Sequence, residues 1–201
     1  DAYIEGEEGD AGNEFSSGDK IDLRLPAPQR LLLSKVLAKG KPTIIVTAAG
    51  SAINVEADCD ALVHAWYPGQ YGGKALMNLL LGNTDFSGKL PVTFYETADK
   101  LPDFCDYSMA NRTYRNISDN VLYPFGFGLS YTSFEIAGEK TAEAKDSVTL
   151  TISVTNTGEA AGKEVVQVYC EAPQGVLGKP ARVLCGYEKT KELAPGETQM
   201  L

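Results

Sequence analysis

Histidine is nearly missing from this chain, with His64 its only example, and the four cysteines are scattered. Cys59, Cys105, Cys170 and Cys185 form no CxxC pair, which is poor spacing for zinc, so neither a metal nor another cofactor is expected. Buried free thiols are the expectation instead. If a disulfide forms, Cys170 and Cys185, both on expected strands, are the candidates. Positive charge is also scarce: 18 Lys and Arg face 27 Asp and Glu, a net charge of −9, with no basic stripe. That balance argues against nucleic acid, whose phosphates draw on clustered Lys and Arg. No apolar run approaches the length of a transmembrane helix, so no membrane partner is expected. A Gly-x-Gly-x-x-Gly spacing and a P-loop lysine are lacking too, which disfavours a nucleotide-binding protein. There is no initiator Met, and the chain stops at Met200-Leu201 as a strand begins after the turn Pro195-Gly196. It is therefore expected to be a fragment, so the lack of a signal peptide does not indicate its compartment.

What is present has two textures. Residues 1–106 alternate helix and strand signals. Pro26 and Pro28 open a helix with apolar Leu32, Leu33, Val36 and Leu37 at steps of three and four, and Gly40 stops it. Thr43–Thr47 is a short apolar run suited to a strand buried on both faces, and Ala61–Trp66 is a second such run. A helix from about Gly72 to Leu81 ends at Gly82-Asn83. This alternation predicts an α/β three-layer sandwich with a mostly parallel sheet. Residues 107–132 read as an inter-domain segment. From 133 to 201 the pattern is all strand: Val148–Val154 alternates apolar and hydroxyl side chains, Asn156-Thr157-Gly158 is a turn, and Val165–Tyr169 and Val183–Tyr187 continue. A truncated, immunoglobulin-like β-sandwich of the fibronectin type III kind is expected there, because about 100 residues are usual for that fold.

Several local runs bear on chemistry. Glu5, Glu7, Glu8 and Asp10 crowd together after what reads as a strand end, and ligands of open α/β sheets gather at the carboxyl ends of strands. Mutual repulsion would help one of these acids hold its proton near neutral pH. Taken alone, such a charge run is more often a solvated loop. Trp66-Tyr67-Pro68-Gly69 reads as a strand-to-helix turn whose helix N-terminus offers free N–H donors, although Trp66 and Tyr67 are more often core residues than sugar platforms. His64, inside an apolar strand, reads as a core residue. Arg112, Tyr114 and Arg115 are placed at the domain seam rather than against substrate. The run Leu122–Phe134, with Gly126 and Gly128 among aromatics, suits a packed junction better than a free linker.

Taken in order, these stretches resemble the C-terminal half of family 3 glycoside hydrolases, the β-glucosidases and β-xylosidases. The resemblance rests on Ile4-Glu5-Gly6-Glu7-Glu8-Gly9-Asp10, Asp22-Leu23-Arg24-Leu25-Pro26, Ala65-Trp66-Tyr67-Pro68-Gly69-Gln70, Ser87-Gly88-Lys89-Leu90-Pro91-Val92-Thr93-Phe94, Arg112-Thr113-Tyr114-Arg115 and the Leu122–Phe134 run. It implies an α/β sandwich domain followed by a fibronectin type III-like domain. It also implies a retaining glycosidase acting on oligosaccharides or aryl glycosides, whose aspartate nucleophile lies on an N-terminal barrel not contained here. Such chemistry uses a nucleophile and an acid/base roughly 5–5.5 Å apart. Aligning Asp10 with the aspartate of the family's Glu-Gly-Tyr-Asp-Arg-like stretch puts Glu7 on the acid/base. Glu8, Gly9 and Ala11 depart from that stretch, which leaves Glu5 and Glu8 as alternatives. A non-catalytic carbohydrate-binding or scaffolding module is the competing expectation.

Overall fold

The computed structural model describes residues 22–117 and 119–201. They divide into two compact units: residues up to Gly73 with Val92–Pro124, and Lys74–Pro91 with Phe125–Leu201.

In the first unit, helix α1 (Ala27–Leu37) starts at Pro26, whose carbonyl accepts from the amides of Gln29 and Arg30. A second proline in the first turn costs no hydrogen bond, because the amide it lacks would have had no partner there. Gly40, at φ +61°, ends the segment in a left-handed conformation that a Cβ would oppose. Leu33 packs on a small core of Leu25, Ala49 and Ile53. Strand β1 (Ile44–Thr47) pairs in parallel with β2 (Ala61–His64), joined by residues 48–60, a return long enough for parallel strands. The expectation that β1 is buried on both faces fails. Ile44 and Val46, on one face, are 52% and 37% exposed, whereas Thr47 on the other is buried. Side chains alternate along a strand, and the described residues cover only one side of this one.

Helix α2 (Gly72–Leu80) follows, its first two residues in the first unit and the rest in the second, and Gly82 at φ +73° ends it. Strand β3 (Phe94–Tyr95), helix α3 (Thr113–Asn116) and strand β4 (Val121–Tyr123) complete the first unit, with β3 and β4 antiparallel. The mostly parallel sheet expected from the sequence is therefore not what the described residues form. Among the described residues, parallel pairing is confined to β1–β2 and the bridge between Arg24 and Asn54. The chain leaving α2 does not return to a third parallel strand; residues up to Pro91 pack in the other unit, and β3 pairs with the later β4.

The second unit is a two-sheet antiparallel arrangement. One sheet holds β5 (Phe134–Ala144), β6 (Ser147–Asn156) and β9 (Thr198–Met200); the other holds β7 (Val165–Cys170) and β8 (Val183–Lys189). Val154 of β6 and Val166 of β7 meet Leu193 in the core, so the two sheets share one apolar interior. Phe134, Ile152 and Leu201 close its margin. All four cysteines are free thiols, including Cys170 and Cys185 on the paired strands β7 and β8, but they are not buried as expected: Cys59 is half-buried and the other three are exposed.

Leu193 is fully buried and belongs to no regular strand, so its side chain fills space that no neighbour can readily reclaim. Leu193→Ala should destabilise this unit by about 2–5 kcal/mol, read from the shift of its urea transition. A change near zero would show that the interior is not closed around this residue.

Candidate functional site

The candidate acid/base Glu7, with Glu5, Glu8 and Asp10, lies outside the described residues. What the structure describes is the carboxyl end of the parallel pair β1–β2, the edge at which such sheets hold ligands. Thr47 and His64, the last residues of the two strands, are register partners, and Thr47 Oγ1 lies 2.8 Å from His64 Nδ1. The imidazole edge meets Trp66 at 4.3 Å and Phe94 at 5.2 Å between ring centres, both close to perpendicular. Phe94 in turn meets Tyr123 of β4 at 6.1 Å. Edge-to-face packing of this kind sets the positive rim of one ring against the negative face of the next. His64 thus sits in an aromatic cluster with its Nδ1 side on a hydroxyl, as a core histidine would.

Trp66 adopts φ 52°, a left-handed conformation that costs a bulky residue energy and is held by the packing of its indole on His64 and Phe94. The turn separates the two aromatics expected to be core. Trp66 is half-buried, while Tyr67 is 65% exposed. Tyr67 lies over Gly50, in the loop after β1, where an added Cβ would come within 2.7 Å of the tyrosine ring. Gly72 opens α2 with the Pro68 ring in the space its Cβ would need, at 2.5 Å. The glycine therefore serves local packing, and its amide is already given to the Gly69 carbonyl. Thr47 and Gly50 were not singled out from sequence; the available signal was the glycine-serine pair Gly50-Ser51, two alanines beyond an apolar strand.

Two other motifs are structural. Asp22 accepts hydrogen bonds from the Arg24 amide at 2.9 Å, Nε at 2.8 Å and Nη2 at 2.6 Å. Burial pushes the Asp22 carboxyl up, but the Arg24 hydrogen bonds and charge outweigh it and hold the group below its ordinary value. Arg24 bridges to Asn54, whose side-chain amide donates to the Tyr95 and Glu96 carbonyls at 2.7 and 2.8 Å. In the second motif, Arg112 donates to the Asp103 carbonyl, the Thr113 amide donates to Tyr95 Oη, and the Arg115 guanidinium lies over the Tyr114 ring. Among the described residues no three His, Cys, Asp or Glu side chains gather as a metal ion would require.

Comparison with known proteins bears on the whole chain. Residues 2–131 match the glycosyl hydrolase family 3 C-terminal domain, and residues 164–201 match a fibronectin type III-like domain. A xylan 1,4-beta-xylosidase of Xylanibacter ruminicola is 44% identical over 97% of the chain, and a beta-glucosidase of Ruminococcus albus is 41% identical over 86%. The crystal structure of a beta-glucosidase from Paenibacillus barengoltzii superposes on 95% of the chain with a TM-score of 0.81 and 34% identity. The chain spans only 23%, 20% and 23% of these three proteins' own lengths. It belongs to glycosyl hydrolase family 3, of which it carries the C-terminal domain followed by a fibronectin type III-like domain.

The Asp22–Arg24 contact has a pH signature. The folded carboxyl lies below its unfolded value of about 3.8, so its contribution is present above that value and is lost as pH falls through the folded one. Asp22→Asn should therefore lower the urea midpoint at pH 7, and the gap to the unaltered chain should narrow towards pH 3. A gap independent of pH would remove the ion pair as its cause.

Proposed function

We propose that this chain is the C-terminal portion of a retaining β-glycosidase that hydrolyses β-glucosides or β-xylosides, and that it supplies the general acid/base but not the nucleophile. The observation that carries this reading is family membership, with similarity to a β-xylosidase and a β-glucosidase extending over almost all of the chain. Glu7 is the residue assigned to the acid/base role, through the register of Asp10 in the opening motif. In that role Glu7 protonates the leaving-group oxygen, then removes a proton from the water that releases the sugar. The nucleophile comes from an N-terminal barrel, and the substrate is an oligosaccharide or aryl glycoside carrying glucose or xylose at its non-reducing end.

A double displacement cannot run on one carboxylate. The 201-residue chain purified alone should accordingly show no turnover of an aryl β-glucoside or β-xyloside above background; robust hydrolysis would refute the division of labour.

In the full-length polypeptide, Glu7→Gln should slow substrates with poor leaving groups by about 10²–10⁴. Substrates whose leaving group departs without protonation should lose far less in the glycosylation step. Equal losses on both would reject Glu7, and transfer of this pattern to Glu5→Gln or Glu8→Gln would move the role to that neighbour. Undiminished activity in all three variants, with sugar binding by the chain alone, would favour a binding module instead.

A further inference from the structure

Residues 85–91, between helix α2 and strand β3, and the aromatic-glycine run 122–134 lie far apart in sequence, but from Phe125 onward the run packs on residues 85–91 within the second unit. The Leu90 amide donates to the Phe127 carbonyl at 2.8 Å, and the Gly126 amide donates back to the Leu90 carbonyl at 2.7 Å. Lys89 Nζ reaches the Gly128 carbonyl at 3.0 Å and pairs with Glu164 at 2.8 Å, both side chains being largely buried. Gly128 is needed for close approach to backbone, and Gly126, at φ +82°, for its left-handed conformation. A Cβ on Gly128 would lie 2.0 Å from the Gly88 carbonyl oxygen, and one on Gly126 would lie 2.1 Å from Gln167 Oε1 of β7.

Asp85 is at the centre of this seam. Its residue is only 8% exposed, and its carboxylate accepts from the Tyr131 amide at 2.7 Å and from Ser130 Oγ at 2.9 Å. Gly162 lies so close that a Cβ there would come within 2.7 Å of Asp85 Oδ2. Tyr131 adds a second tie, its hydroxyl donating to the Leu79 carbonyl of α2 at 2.9 Å and its ring meeting Phe86 at 5.4 Å. From Ser130 the connections continue inward. The Thr132 amide donates to Ser130 Oγ, and the Thr132 hydroxyl donates to Asn156, fully buried beside the Val154–Leu193 core.

We propose that Lys74–Pro91 and Phe125–Leu201 form one cooperative folding unit, closed by Asp85 as a clasp. The sequence texture turns to strands near residue 133, but the clasp draws into that unit a helix and a loop that precede the texture change by some fifty residues. The Asp85 carboxylate suits this point because both its oxygens are used: Oδ1 accepts from the Tyr131 amide and both oxygens lie 2.9 Å from Ser130 Oγ. Losing it would leave the Tyr131 amide and the half-buried Ser130 hydroxyl without this acceptor, and a donor left unsatisfied in a partly buried place costs stability. Lys89 and Glu164 satisfy each other's charge at the far end of the same seam, and neither is left alone in the interior.

Hydrogen exchange on the whole chain, read by mass spectrometry, tests this. In the unaltered chain, peptides covering 79–91, 125–134, 150–156 and 165–170 should share one opening equilibrium, separate from that of 44–47 and 61–64. Asp85→Ala should speed exchange in all four peptides of the first group by about tenfold to hundredfold and leave the second group unchanged. Should that variant lose the whole unit, Asp85→Asn, which keeps one acceptor, and Tyr131→Phe should give graded, smaller accelerations in the same four peptides. Exchange of 79–91 in step with 44–47 and 61–64 would overturn the proposal, as would an effect of Asp85→Ala confined to 130–132.

Discussion

Short strands and long irregular connections leave many backbone groups without a ladder partner, and such groups cannot be buried unpaired without a cost of a few kcal/mol each. Buried Asn and Asp side chains meet that constraint throughout the chain. Asn54 donates to the Tyr95 and Glu96 carbonyls, and Asn120 forms a reciprocal pair with the Thr97 amide and carbonyl. Asn156 donates to the Ala160 and Leu193 carbonyls while accepting from Thr132 and the Gly158 amide. Asp85 accepts from Ser130 and the Tyr131 amide. Each substitutes a side chain for a missing strand and so fixes where a loop can lie.

The edge formed by the ends of β1 and β2 depends on that framework. Asn54 ties the loop after β1 to β3, and β3 brings Phe94 against His64 and Trp66. The unusual backbone conformation of Trp66 is tolerable because its ring is gripped on that side, and the turn it makes leaves Tyr67 facing out over Gly50. A polar, single histidine in an aromatic cluster, held on one side by Thr47, fits a supporting part for this edge better than a reacting one.

Much of the local architecture was legible beforehand. Prolines at one end and a glycine at the other bracket α1 as expected, because their backbone restrictions act without any tertiary context. The alternation in Val148–Val154 identified β6 as a strand, but not its burial: Val148 and Leu150 are exposed, and only from Ile152 onward does the strand enter the core. The described residues do not show the expected two-face burial of β1 or the mostly parallel sheet. An apolar run records only that a strand can be buried, and parallel pairing depends on where the chain goes after α2. The acidic opening motif was legible by resemblance, but its register was not, because Glu5, Glu7 and Glu8 are chemically alike at a spacing where a shift of one or two residues exchanges them.

By itself the amino-acid order determined what each segment can form and the family to which the motifs point, because turn residues, strand periodicity and motif order are local properties. Only the tertiary structure decided the partners: that Lys89 meets Glu164, that Asp85 holds Ser130 and Tyr131, and that residues 74–91 pack with the C-terminal strands. These are contacts between residues 45 or more positions apart, selected by which buried charge and which orphaned amide can satisfy each other once the chain has closed, and no local pattern encodes that choice.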